Sequence, residues 1–194
     1  MALENSAQLV CQDGLLNGIN YRSSPNQDLR PDSNDISGIV IHNISLPPGE
    51  FGGGWIDDLF LNKLNPNAHP YFEKIADVKV SAHVLIRRDG EIIQYVPFEH
   101  RAWHAGESCW QGKERCNDFT IGIELEGCDL QTFEQQQYLA LIDVIQCLCR
   151  TYPKITPNSI IGHQHIAPDR KTDPGPYFDW EYLSVLLSQD DNNL

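Results

Sequence analysis

The chain has 194 residues, 41% hydrophobic and 21% charged, with four Trp and seven Phe. That composition excludes a disordered or low-complexity chain, and the length fits one domain with a single core. Its 14 basic against 27 acidic side chains leave a net charge of −13, which argues against a grip on nucleic acid or anionic membrane, since both need a positive field.

The start, Met-Ala-Leu-Glu-Asn-Ser-Ala-Gln, shows no basic region followed by an apolar one. No stretch approaches the roughly 18 apolar residues that span a bilayer. The expectation is a cytoplasmic protein with no membrane partner. Six cysteines form no CxxC pair, too few for a disulfide scaffold of this length, and free thiols are expected.

In chain order, residues 1–36 are rich in turn formers and read as an arm packed on the domain. The domain itself is expected over 37–188, with a tail at 189–194. Gly-Ile-Val-Ile-His-Asn-Ile at 38–44 is a continuous β-branched run of the kind buried on both faces. After a Pro- and Gly-rich loop at 47–54, Trp55, Ile56, Leu59, Phe60 and Leu64 recur at helical spacing. Runs at 82–87 and 91–96 flank Arg88-Asp89-Gly90 and predict a hairpin.

Over 120–126, alternation sets Ile121, Ile123 and Leu125 opposite Gly122, Glu124 and Glu126. Thr132 and Gln135 fit a capping box. Behind them Tyr138, Leu141, Ile142, Ile145, Leu148, Cys149 and Tyr152 form one apolar stripe stopped by Pro153. A short strand near 160–163 and a last helix over 180–187 complete a single α/β domain, a mixed central sheet flanked by helices.

Seven histidines are present, and two are conspicuous by position. His42 ends an apolar strand, where an imidazole is costly unless paired or metal-bound. His163 follows Gly162 at the end of a second apolar run, and Asp173 lies ten residues on in a proline-stiffened loop. Two His and one carboxylate with an open fourth position can hold catalytic zinc. The spacing is not the short helical pattern of H-E-x-x-H, so on its own it leaves metal-binding and structural readings open. Glu124, between isoleucines on a face shared with Gly122, is either a proton-transfer group beside a ligand or part of a solvated face. Lys171, two residues before Asp173, either stabilises an oxyanion or is an exposed loop lysine.

The segments Ile-His-Asn-Ile-Ser-Leu-Pro-Pro-Gly-Glu-Phe at 41–51, Ser-Ala-His at 81–83, Arg-Ala-Trp-His-Ala-Gly at 101–106, Cys-Asn-Asp-Phe-Thr-Ile-Gly-Ile-Glu-Leu-Glu-Gly at 116–127, and Gly162-His163 through Ile-Ala-Pro-Asp-Arg-Lys-Thr-Asp-Pro-Gly-Pro at 166–176 carry a resemblance. In unchanged order they resemble the zinc-dependent N-acetylmuramoyl-L-alanine amidases, from about residue 20 to 182. The resemblance implies a fold shared with peptidoglycan recognition proteins and one zinc ion held by His42, His163 and Asp173. It implies Glu124 as acid/base and Lys171 as oxyanion stabiliser. The reaction implied is cleavage of the amide between the lactyl group of muramic acid and L-alanine of the stem peptide. The implied substrate is a soluble anhydro-muropeptide of bacterial cell-wall recycling, taken by a monomer.

Trp103 offers an apolar face for a sugar ring. Asn43 and Arg115 suit polar and carboxylate groups of the peptide, Arg115 because its fork binds both oxygens. One departure stands out: the family usually has Asp or Asn two residues after the second zinc histidine, whereas this chain reads His163-Gln164-His165. On an extended strand the two imidazoles would point the same way, so His165 would either compete for the metal or support the ligands from behind, the second being the favoured expectation. The rival readings are a recognition module without catalysis on the same fold, and an extracytoplasmic amidase acting on intact wall. The full ligand set counts against the first, the missing signal against the second.

Overall fold

The computed structural model describes residues 8–190; the first seven residues of the expected arm and 191–194 of the expected tail lie outside the described residues. A six-stranded mixed sheet forms the centre, in the order Ile160–Gly162, Gly38–Ile44, Thr120–Glu126, Val84–Ile86, Ile92–Gln94, Asn20–Tyr21. The first four run parallel to one another, and Val84–Ile86 pairs antiparallel with Ile92–Gln94 across the turn at Gly90. Buried parallel strands need apolar residues on both faces, which is what the 38–44 run supplies.

Alternation divides the 120–126 strand as its pattern predicts. Ile121, Ile123 and Leu125 join Ile39 and Ile41 in the core beneath helices Gln135–Thr151 and Trp180–Asp190. Tyr138, Leu141, Ile142, Ile145 and Leu148 supply the buried stripe of the first helix, each stabilising the fold by roughly 1.5–3 kcal/mol. The opposite sheet face, carrying His42, Gly122 and Glu124, is covered by loops and by the short helix Trp55–Phe60.

Three local expectations shift. The helix entered at residue 55 ends at Phe60, because Asn62 takes a positive φ of 58° and turns the chain before Leu64. The capping box is Glu134 with Gln137, not Thr132 with Gln135. Gln137 is fully buried, accepting the Glu134 N–H (3.0 Å) and donating to the carbonyls of Ile86 (3.3 Å) and Glu126 (3.0 Å). The helix therefore starts where its first turn can dock on the sheet. Third, residues 163–166 form a helical turn rather than extending the strand.

Residues before 37 supply short strands. Asn20–Tyr21 adds to the sheet edge, Gln27–Leu29 pairs with His100–Ala102, and Cys11–Gln12 pairs with Leu15–Leu16. Arg30, 6% exposed, ties this segment down. Its Nε donates to the Phe98 carbonyl (3.0 Å), Nη1 to those of Asn117 (3.0 Å) and Asp118 (3.1 Å), and Nη2 to that of Thr120 (2.9 Å). Burial without a carboxylate partner pulls its pKa down to about 10. Arg30→Met strips the donor from four carbonyls and is expected to lower urea-denaturation stability by at least about 3 kcal/mol. A loss under about 1 kcal/mol would show that the segment is not anchored through this side chain.

Candidate metal centre and active-site cavity

Strand register assembles the site. In the parallel pairing of the 38–44 and 120–126 strands, Glu124 lies opposite His42; on the other side Gly162 lies opposite Ile41, so the chain turns into His163 beside His42. All three therefore sit at the carboxyl ends of adjacent parallel strands, where α/β sheets open their crevices. Asp173 arrives from the following loop. An ideal Cβ on Gly162 would lie 2.7 Å from Pro174 Cδ, so only glycine lets this loop pack down. Asn43 Nδ2 secures it, donating to the Pro174 carbonyl (3.0 Å) and to Asp129 Oδ1 (2.7 Å).

His42 Nδ1, His163 Nδ1 and Asp173 Oδ2 form a triangle with sides of 3.0, 2.9 and 3.0 Å. Both imidazoles are almost fully buried. His163 Nε2 lies 3.0 Å from the Ala105 carbonyl, which can only accept. Nε2 therefore carries a proton, and Nδ1 is the ring atom turned towards His42 and Asp173. Burial drives His42 down to about 4, against the pull of Asp173, so this ring is neutral at physiological pH. Two imidazole nitrogens and a carboxylate oxygen converge in the triangle, a donor set that fits a divalent cation such as zinc.

Glu124 is the second element. Its Oε2 is the one buried side-chain oxygen without a hydrogen-bond partner among the described residues. Burial, then the charge of Asp173, raises its pKa well above the ordinary value, with Lys171 opposing. The solvated-face reading fails on its neighbours. An ideal Cβ at Gly122 would sit 2.4 Å from His104 Cγ, so an imidazole from the protein itself fills that space. Glu126 is buried and committed to Arg87 Nη1 (3.0 Å) and the Gly52 N–H (2.7 Å).

A cavity of about 640 Å³ opens over these residues; His42, Asn43, Glu124, His163, Lys171 and Asp173 line its polar side, and Leu59, Phe60, Val80 and Trp103 its apolar side. Lys171 makes no ion pair among the described residues. Arg115 is not brought into this group: its Nε lies 3.3 Å from Asp118 Oδ2, and it lines a neighbouring cavity of about 460 Å³. His165 is not turned towards the triangle. Because 163–166 is helical, its ring turns back, Nδ1 accepting the Gly162 N–H (3.0 Å) beside Trp180.

His104 is the residue that motif reasoning missed. It is buried, with Nδ1 2.9 Å from His42 Nε2. A lone loop histidine gives no such signal, although the glycine at 122 marks a close approach on the strand face.

The family model for N-acetylmuramoyl-L-alanine amidases matches residues 32–176. The chain is 56% identical over 182 residues to the 1,6-anhydro-N-acetylmuramyl-L-alanine amidase AmpD of Escherichia coli, covering 94% of this chain and 99% of that protein. A crystal structure of a selenomethionine AmpD derivative superposes with a TM-score of 0.89 at 57% identity, over 92% of this chain and 99% of that one. The E. coli amidase AmiD, solved with anhydro-N-acetylmuramic acid-L-Ala-D-γ-Glu-L-Lys, matches at 29% identity and a TM-score of 0.58, over 93% of this chain and 66% of that one. With its mixed sheet, its histidine–carboxylate triangle and this extent of likeness, the chain belongs to the N-acetylmuramoyl-L-alanine amidase family.

Proposed function

We propose that the protein is a zinc-dependent amidase. It hydrolyses the bond between the lactyl group of 1,6-anhydro-N-acetylmuramic acid and L-alanine, on soluble muropeptides in cytoplasmic cell-wall recycling. The observation that carries this reading is Glu124, whose unpartnered buried Oε2 lies on the strand position beside His42 of the triangle. No packing argument leaves a carboxylate there. The substrate class is supported by the names and bound ligand of the relatives.

His42, His163 and Asp173 would hold the zinc, which when bound supplies a Lewis-acidic charge that polarises the amide carbonyl and activates water. Glu124 takes the proton from the attacking water. Its raised pKa suits it to keep that proton until the amide breaks and to hand it to the alanine nitrogen. Lys171, with an ammonium in no ion pair among the described residues, stabilises the developing oxyanion. Asn43 keeps the Asp173–Pro174 loop seated and leaves its carboxamide oxygen for the substrate. Trp103 lines the apolar side of the cavity as a platform for the sugar. Arg115 meets the far end of the stem peptide, reaching it from the neighbouring cavity.

Peptide release from an anhydro-muropeptide should stop on chelation, return with zinc, and greatly exceed release from insoluble wall. Equal rates on both substrates would remove the recycling assignment. Asp173→Ala should lose bound zinc and activity together. Glu124→Gln should retain one zinc per chain while kcat falls by about 10²-fold or more; zinc loss in this variant would place Glu124 among the ligands instead.

Glu124 also has a signature without zinc. A carboxyl whose folded pKa lies above its ordinary value of 4.5 binds more protons folded than unfolded, so it costs stability as pH rises through that value. In chelator-treated protein Glu124→Gln should therefore raise the thermal midpoint at pH 7, and the gain should vanish near pH 4. A midpoint lowered at pH 7 would mean that the carboxylate is not strained by burial.

A further inference from the structure

The two imidazoles of the triangle are served by one dipeptide. His163 Nε2 donates to the carbonyl of Ala105, and His42 Nε2 meets Nδ1 of His104, the preceding residue, at 2.9 Å. Asn117 clamps that dipeptide, its Oδ1 accepting the N–H of His104 (3.1 Å) and of Ala105 (2.7 Å). The His104 ring occupies the slot that Gly122 leaves in the strand.

Proton positions follow along the chain of contacts. Thr120 has one hydroxyl hydrogen, and it goes to the Cys116 carbonyl at 2.7 Å. Towards His104 Nε2, 3.4 Å away, the Thr120 oxygen can therefore only accept. That places the His104 proton on Nε2 and leaves Nδ1 bare to accept from His42 Nε2–H. A neutral His42 with its proton on Nε2 presents a bare Nδ1 to Asp173 and His163.

We propose that His104, held by Thr120 and seated against Gly122, is a positioning residue that fixes the tautomer of His42 and so sets the affinity of the triangle for zinc. The inference rests on the metal reading above. Partners of this kind typically carry 10–100-fold in metal affinity.

The test is zinc affinity by chelator competition, with the histidine tautomers of metal-free protein read by two-bond 1H–15N NMR. His104→Phe keeps a ring but no acceptor; Gly122→Ala displaces the ring while leaving its chemistry intact. Each should weaken zinc binding by about 10–100-fold, and His104→Gln, whose amide can accept, should recover part of the loss. Metal-free wild type should show His42 as the Nε2–H tautomer, becoming a mixture in His104→Phe. Unchanged zinc affinity in both His104→Phe and Gly122→Ala, or an Nδ1–H His42 in the wild type, would overturn the proposal. A wild-type chain that took up no zinc would instead sink the metal reading itself, and the His42 tautomer would still decide whether the relay exists.

Discussion

Seven consecutive residue pairs between the 38–44 and 120–126 strands set Glu124 opposite His42, and most of the site follows from that register. Parallel pairing of two apolar strands tolerates no slip, since a one-residue shift would turn Ile121, Ile123 and Leu125 away from the helix-covered core. The third parallel strand delivers His163 to the same edge, and the loop after it needs only to fold back to add Asp173. Each polar group sits one strand from the next, on a face whose remaining positions are closed by the protein's own side chains.

That closure separates the chemistry from the scaffold. Arg87 bridges Glu126 and Asp57, and Asp57 also takes bonds from Arg22 and Tyr95. Charge buried there is paired, and the Gly52 N–H on Glu126 fastens the loop that borders the cavity. Arg30 distributes its charge over carbonyls on the opposite flank. Among the described residues Glu124 and Lys171 are left without such partners, so the polar strain of the fold is concentrated where the substrate would meet it. The contacts behind His42 and His163 continue the same division, since His104 and the Ala105 carbonyl meet the two rings on the side away from Asp173.

How much of this was legible depends on length and periodicity. The 38–44 and 120–126 strands, the 82–96 hairpin and the 135–151 helix each carry enough patterned residues to declare themselves. The strands of two or three residues before residue 37 do not, because pairing partners distant in sequence create them. Two fine details depended on tertiary contact. Gln137 rather than Gln135 completes the capping box because its amide reaches the sheet, and His165 turns away because a helical turn replaces the expected strand. His42, His163 and Glu124 were visible as anomalies, polar groups in or at the end of apolar runs, and Asp173 as a carboxylate in the proline-stiffened loop that follows. His104 was not, since a loop histidine shows its purpose only through the ring it touches, and the separation of Arg115 from the main cavity is set by loop geometry that no local pattern encodes.

Anomalous diffraction at the zinc edge from crystals of the zinc-loaded protein tests the central claim most directly. One ion should lie about 2.0–2.2 Å from His42 Nδ1, His163 Nδ1 and Asp173 Oδ2, with the Glu124 carboxylate facing it but outside bonding distance. An ion elsewhere, coordination through either Nε2, or direct ligation by Glu124 would contradict the account.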